Sequence, residues 1–257
     1  MARWTACPFV GEYPLDAEQV RALWDRLHRG DAEPLPADAA VLQAWVLYHR
    51  GEFEAAEQAG LAAGGSGITV ANKAAAMQAT HLEAAEPVRL DMFLYVAQRA
   101  QAQSEAQPDN PNAWYWHAYA LGRYSQGVSV AKALAQGLGG KVRESLERTI
   151  ALQPAHADAH IALGSFHAEV IDKVGALIGG MTYGAKREVG LRMFEEGLRL
   201  NPRSAIGMIE CAGGLLMLDG QESAQRAHQL YAQAAASEPL DAVERLNVER
   251  ARHELHD

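Results

Sequence analysis

Apolar positions recur at helical spacing through most of this chain. The first such stripe runs from Val20 to Leu27 behind Asp16, whose carboxylate suits a helix N-cap, and it predicts a helix over about 17–29. Glycine and proline interrupt the pattern at intervals, and each interruption predicts a turn. The stretches between them predict five helical hairpins, over about 37–63, 67–108, 111–154, 157–202 and 205–239, and a last, highly charged helix within 240–257.

Two of these hairpins repeat one arrangement. Residues 142–154 align without gaps with residues 190–202, and both stretches carry an apolar stripe that ends at a proline, Pro154 or Pro202. Prolines that end the second helix of a pair recur farther apart than the roughly 34 residues of a tetratricopeptide unit. The additional length therefore lies between the two helices of each central pair, in long linkers over 125–140 and 172–185.

Small residues occupy one position in the middle of four predicted first helices, where a second helix would cross closely. They are Ala44, Ala118, Gly164 and Ala212. With the turn Gly51-Glu52-Phe53 and the closing prolines, they make the chain resemble the tetratricopeptide-repeat family. The resemblance implies an all-α, right-handed superhelix of antiparallel hairpins, forming one domain over 1–257. Residues 1–36 would then be a lead-in with a capping helix, and 240–257 a C-terminal cap helix.

Residues 95–239 carry a narrower resemblance. Trp116-His117-Ala118-Tyr119, the following Leu121–Ser125 stretch and the long linkers in two consecutive hairpins are similar to the repeat domain of the regulator-of-microtubule-dynamics family. Members of that family are helical-repeat proteins with a non-enzymatic association role. The resemblance therefore implies a binding protein rather than an enzyme.

Composition narrows the classes of partner. The formal net charge of −9 argues against non-specific binding to nucleic acid or to an anionic membrane surface. Two cysteines, Cys7 and Cys211, are too few for a disulfide framework in a chain of this length and favour a reducing compartment. No apolar run has the length of a membrane span or of a signal-peptide core, so we expect a cytoplasmic protein.

In a tetratricopeptide superhelix, certain positions of the first helices face a concave groove. In this chain those positions predict a partner-binding groove that is aromatic at one end and apolar at the other, with two charges between. The groove residues are Trp45, Tyr48, Tyr115, Tyr119, Arg123, Glu169 and Met217. Tyrosine, tryptophan and arginine are frequent anchors of interfaces, so the groove predicts capture of a peptide or helix. The alternative is that the linkers or the leading helix fill the groove and leave the aromatic residues as core.

The two linkers are unusually apolar for solvated loops, so they must pack against something. We interpret six of their side chains as a candidate interface: Val128, Leu134, Leu138, Leu177, Ile178 and Met181. They could extend the helices and cover one edge of the superhelix, contact a protein partner or a second copy in a homo-oligomer, or form a lid over a small-ligand pocket.

Histidines are concentrated near the start of the fourth hairpin. His156, His160 and His167 lie close to Asp158, and two of them share a helical face, which makes them weak candidates for a metal site. The metalloprotease motif is absent, and no serine or cysteine stands in a nucleophile motif. We therefore predict no catalytic residue, metal or cofactor, and a scaffold that binds a protein or peptide. The alternative function is a small-ligand or metal-binding protein with its pocket under the linkers.

Overall fold

The computed structural model describes residues 4–255. Their regular structure is entirely helical, which confirms the predicted all-α class. The helices are α1 (Ala17–Leu27), α2 (Ala39–His49), α3 (Phe53–Ala63), α4 (Gly67–His81), α5 (Glu86–Ala106), α6 (Pro111–Gln126), α7 (Val130–Ala135), α8 (Leu138–Leu152), α9 (Ala157–Val174), α10 (Ala176–Tyr183), α11 (Arg187–Leu200), α12 (Ala205–Asp219), α13 (Ala224–Ala235) and α14 (Ala242–Glu254). A 3₁₀ turn over Gly220–Ser223 precedes α13. Within the described residues, no helix combines the length and apolar character that crossing a membrane requires.

Side-chain caps fix where several helices begin. Asp16 and Gln19 form a reciprocal capping box at α1, in which the Gln19 N–H donates to Asp16 over 2.8 Å. Asn110 caps α6, and Asp241 caps α14 by accepting from the N–H of Glu244 over 2.7 Å. These caps satisfy N–H groups that have no partner inside the helix.

Each predicted hairpin corresponds to a pair of helices that pack together. The pairs are α2 with α3, α4 with α5, α6 with α8, α9 with α11, and α12 with α13. The first helices of neighbouring pairs also touch in chain order, from α2 to α4, α6, α9 and α12. Consecutive pairs therefore share one face built from their first helices.

Phe194 shows how closely the later helices approach. Its ring, only 1% exposed, lies on α11 between Gly164 of α9 and Gly214 of α12. A Cβ atom added to Gly164 would come 2.7 Å from the ring, so a larger residue there would force the helices apart. The close crossing predicted at Gly164 is confirmed.

The two segments predicted as linkers contain helices of their own. The first holds α7 and the start of α8, and the second begins in the last turn of α9 and continues through α10. Glycines with positive φ, Gly137 and Gly175, make the sharp breaks between these pieces. Their helical content agrees with the interpretation in which the linkers extend the neighbouring helices, although the glycine breaks make α7 and α10 separate helices.

The last helix, α14, is more than a solvated cap. Six of its residues are buried: Ala242, Val243, Leu246, Asn247, Val248 and Ala251. It packs on α12 and α13. Its N-terminal end contacts α1, where Arg26 donates to Glu244 over 2.7 Å. At its other end, Arg250 pairs with Glu210 of α12 at 3.2 Å. Its many charged residues are typical of a solvent-exposed helix, but some of them form ion pairs with other helices.

Candidate functional site

A cavity of about 210 Å³ lies where the first helices of the successive pairs meet α14. We call it the central cavity. Its wall takes residues from the end of α1 and from α2, α4, α6, α8, α9, α12 and α14. Five of the seven predicted groove residues line it: Tyr48, Tyr115, Tyr119, Arg123 and Glu169.

The other two groove residues lie elsewhere. Trp45 is fully buried against the ring of Tyr48, with 5.4 Å between the ring centroids. Met217 is 41% exposed near the end of α12 and does not line the cavity. Tyr48 and Tyr115 are 1% and 6% exposed, so these aromatic residues do not form an open surface. The alternative in which the chain fills its own groove fits them better, although α14, which that alternative did not include, contributes to the filling.

Lys73 of α4 places an ammonium group at one end of the cavity. Its Nζ lies 2.5 Å from Oδ2 of Asp31, a carboxylate in the turn after α1. It also lies 5.4, 5.2 and 6.0 Å from the ring centroids of Trp45, Tyr48 and Trp116. Burial alone would raise the pKa of Asp31, but Lys73 and then His28 hold that pKa far below its ordinary value. The carboxylate and the ammonium group therefore form a buried, charged pair surrounded by rings.

Two histidines connect this pair to α14. His28 Nδ1 lies 3.0 Å from Asp31, and His49 Nδ1 lies 2.6 Å from Asp241, the residue that caps α14. The two Nε2 atoms face each other across 3.3 Å. That contact is a hydrogen bond only when one ring carries protons on both nitrogens, because each Nδ1 already faces a carboxylate. Together these contacts link α1, α2 and α14 in the interior, through the side chains Asp31, His28, His49 and Asp241.

None of the described residues forms a hydrogen bond or an ion pair with the carboxylate of Asp158. It lies in the first turn of α9, where its N–H donates to the carbonyl of Gly30 over 2.9 Å. A Cβ atom on Gly30 would come 2.5 Å from Asp158 Oδ1, so glycine at this turn lets the carboxylate lie against it. Burial, and then the nearby charge of Asp31, raise the pKa of Asp158 to about 6. The ionised form is thus unfavourable in the protein as it stands.

Five polar atoms on residues that line the cavity are buried and lack a hydrogen-bond partner in the protein. They are Tyr48 OH, Trp116 Nε1, Ser165 Oγ, Asn201 Oδ1 and Asn247 Oδ1. Other side chains of the same types are satisfied: Trp24 Nε1 donates to the carbonyl of Glu33 over 2.8 Å. Buried polar groups are normally hydrogen-bonded, so five unpartnered atoms on residues around one space indicate a site for a molecule that supplies partners.

The far end of the cavity is already paired internally. Arg123 donates to Glu210 over 2.7 Å and lies over the ring of Tyr119, 5.2 Å from its centroid. Glu169 accepts from Gln126 over 2.6 Å. Arg123 and Glu169, the two charges predicted to orient a partner, are therefore engaged within the chain.

The three candidate histidines each have a separate role in the fold. His156 Nδ1 accepts from the N–H of Ala159 at the start of α9, and its Nε2 lies 3.0 Å from Asn112 Oδ1. His160 bonds to the carbonyl of Pro154, and His167 accepts from the N–H of Lys186. Among residues 4–255, no three His, Cys, Asp or Glu side chains are grouped so that they could hold a metal ion.

The linker residues divide into two groups. Leu138 is buried at 3% exposure and Val128 packs partly against the core, whereas Leu134 is 47% exposed. The three residues of α10 are more exposed still, with Leu177 at 77%, Ile178 at 57% and Met181 at 82%. From the two linkers only Ser125, Gln126 and Gly139 reach the central cavity. The alternative prediction puts a ligand pocket under the apolar linker side chains, and the central cavity does not lie there.

Sequence reasoning missed Lys73, Asp31, His28 and Asp241. The one available signal was Lys73, the single charged residue in the apolar and small stretch 67–79 of α4. A charge at such a place is rarely buried without a partner. Comparison with known proteins adds nothing to this assignment: no protein-family model matches the chain, and no curated protein matches it significantly in sequence.

Proposed function

We propose that this chain is a tetratricopeptide-like helical-repeat protein that binds a small molecule in the central cavity. The ordered contacts between first helices support stacked hairpins in a right-handed superhelix, with α14 lying across their shared face. The observation that carries the binding function is the set of buried polar atoms without partners on residues that line the cavity. We propose binding without chemistry, because the charged groups of the wall pair mainly with one another.

A small ligand fits this site better than the peptide or helix predicted from the sequence. An α-helix with its side chains is about 10–12 Å across, whereas the cavity measures about 210 Å³. A helical partner would also have to displace α14, breaking the ion pairs of Glu244 with Arg26 and of Glu210 with Arg250. The aromatic residues would then act as walls of a cavity and not as anchors on an exposed surface.

Replacing Tyr48 by phenylalanine tests the function with a change of one atom. Burial raises the pKa of Tyr48 well above its ordinary value, so the hydroxyl keeps its proton and can donate or accept. Because this hydroxyl has no partner in the protein, we expect Y48F to melt at or above the wild-type temperature. Any compound that a thermal-shift screen of metabolites identifies should bind Y48F roughly 3- to 10-fold more weakly.

Thr80→Val is the matched control, since the Thr80 hydroxyl already bonds to Tyr119 OH over 2.8 Å and to a carbonyl. It should lower the melting temperature, in contrast to Y48F. A screen without any stabilising compound, or hits that bind wild type and Y48F equally, would remove the cavity as a binding site.

Self-association through α10 is a second candidate function. No charged residue stands between Val174 and Tyr183, so a partner must offer an equally uncharged apolar face, and a second copy of α10 is such a face. We expect concentration-dependent dimers in light scattering coupled to gel filtration, and a shift to monomer in a Leu177→Ser, Met181→Ser variant. A wild-type protein that stays monomeric at high concentration would contradict this candidate.

A further inference from the structure

We propose that the ligand of the central cavity is a small organic ammonium compound, held by the Asp158 carboxylate and the rings of Tyr48, Tyr115 and Trp116. This inference rests on the proposed function and specifies the chemistry of the ligand. Two independent observations carry it: a carboxylate that no side chain contacts by a hydrogen bond or ion pair among the described residues, and buried unpartnered polar atoms on residues of the same wall.

Asp158 differs from the other enclosed acids around the cavity. Most of those acids are already matched by a cationic or histidine side chain: Asp31 by Lys73, Glu244 by Arg26, Glu210 by Arg123 and Asp241 by His49. No hydrogen bond or ion pair from the described residues reaches the Asp158 carboxylate. A group of opposite charge beside it would stabilise the ionised form.

The overall charge of the wall selects against an anion. Seven residues with carboxylates line the cavity, against four lysines and arginines. Lys73 changes this balance little, because Asp31 pairs with it at 2.5 Å, although its charge also offsets part of the rise in the pKa of Asp158. An anionic ligand would be brought close to Asp158 and Asp31 together, and like charges at short range in an enclosed site are strongly unfavourable.

The rings around the cavity suit a cation. Lys73 already shows that an ammonium group is tolerated 5.2 Å from the Tyr48 ring and 6.0 Å from the Trp116 ring. Tyr115, 6% exposed, continues the aromatic wall with its ring centroid 5.0 Å from that of Trp116. Ring faces attract ammonium ions, most strongly where water is excluded.

The unpartnered atoms add a second requirement. Trp116 Nε1 is a donor only, so it needs an acceptor from the ligand, and Tyr48 OH can donate or accept. An ammonium compound that also carries an oxygen meets both needs. The inference is therefore an amine or quaternary ammonium compound with at least one hydroxyl or carbonyl oxygen.

Matched probes separate charge from shape. Choline and aminopentanol supply the cation, while dimethylbutanol and pentanediol supply nearly the same shapes without it. Calorimetric titration of the full chain at neutral pH should show saturable binding of a cationic probe and none of its neutral counterpart. Affinity should fall as the pH drops through about 6, because protonation removes the charge of Asp158.

Two variants locate the binding site. Asp158→Asn should lower the affinity for the cationic probe at least 10-fold. Gly30→Ala should also lower this affinity, because it displaces the carboxylate while keeping its charge. Asp109→Asn, which removes a charge from a side chain that is 92% exposed, is the control and should bind as wild type does.

The melting temperature of D158N distinguishes a ligand-binding role of Asp158 from a structural role. Since the pKa of Asp158 is raised above 3.8, its ionised form costs stability above about pH 6, and that cost disappears as the pH falls below 3.8. Ligand-free D158N should therefore melt about 2–5 °C higher than wild type at neutral pH. If Asp158 served chiefly to stabilise the start of α9, the substitution would lower the melting temperature instead.

The outcomes distinguish the inference from the proposed function. Equal binding of neutral and cationic probes, unchanged affinity in D158N, or no response to any ammonium probe overturns the inference. If uncharged or anionic metabolites bind and Y48F weakens them, the ligand class is wrong while the binding function stands. If no compound of any charge binds, both are wrong.

Discussion

Replacing Lys73 by methionine lowers the free energy of unfolding by about 3–5 kcal/mol, because it leaves the Asp31 carboxylate buried without its cation. Asp31 is 1% exposed, and among residues 4–255 the only other charged or titratable side chain bonded to it is that of His28. Methionine has a similar length and keeps most of the packing against Trp45 and Tyr48, so the loss reports the charge. Urea unfolding followed by far-UV circular dichroism measures it.

The double variant Asp31→Asn, Lys73→Met is the control. Removing both charges should recover part of the loss, whereas independent effects would simply add. The pH dependence follows the same pair: the pKa of Asp31 is lowered in the folded chain, so its contribution is present above its ordinary value of 3.8 and is lost on acidification below it. A K73M variant within about 1 kcal/mol of wild type would show that the pair is not a buried charge pair.

Replacing Phe194 by alanine costs about 3–5 kcal/mol, because the ring fills the space between two glycines on different helices. Gly164 and Gly214 offer no side chains that could close around the cavity left behind. Tyr95→Ala removes a ring that is 53% exposed and should cost less than about 1 kcal/mol. A comparable cost for the two variants, measured by urea unfolding, would contradict the packing of α9, α11 and α12 around Phe194.

The pairing of helices was accessible from the sequence because each element carries its own local signal. Apolar periodicity, capping side chains such as Asp16, and the prolines after second helices mark where helices begin and end. The bounds of the separate helices inside the linkers, α7 and α10, were not accessible in this way. In α10 the glycines at 179 and 180 oppose helix formation locally, and packing such as that of Gly179 against Val170 outweighs that preference.

The position of α14 in the fold could not be predicted from its own residues. Arg245, Glu249, Arg250 and Arg252 give it the composition of a solvated helix. Its placement depends on partners nearly the whole chain away, such as Arg26 for Glu244 and His49 for Asp241. Contacts between residues so distant in the chain leave no periodic pattern that a single sequence displays.

The candidate site shows the same division between local and distant information. The aromatic part of the wall was predicted, since Tyr115 and Tyr119 are four residues apart on one helix face. The charged part was not, because Asp31, Lys73 and Asp158 come from three segments of the chain. Asp158 did attract notice, but as a neighbour of histidines in a candidate metal site, and the structure instead places it against Gly30.

A crystal structure of the full chain grown with saturating aminopentanol tests the central claim most directly. The account predicts continuous density for the probe inside the central cavity, with its ammonium group within hydrogen-bond distance of Asp158 and its oxygen near Tyr48 OH or Trp116 Nε1. Ordered water alone at those atoms, with the probe absent or bound on the outer surface, would contradict it.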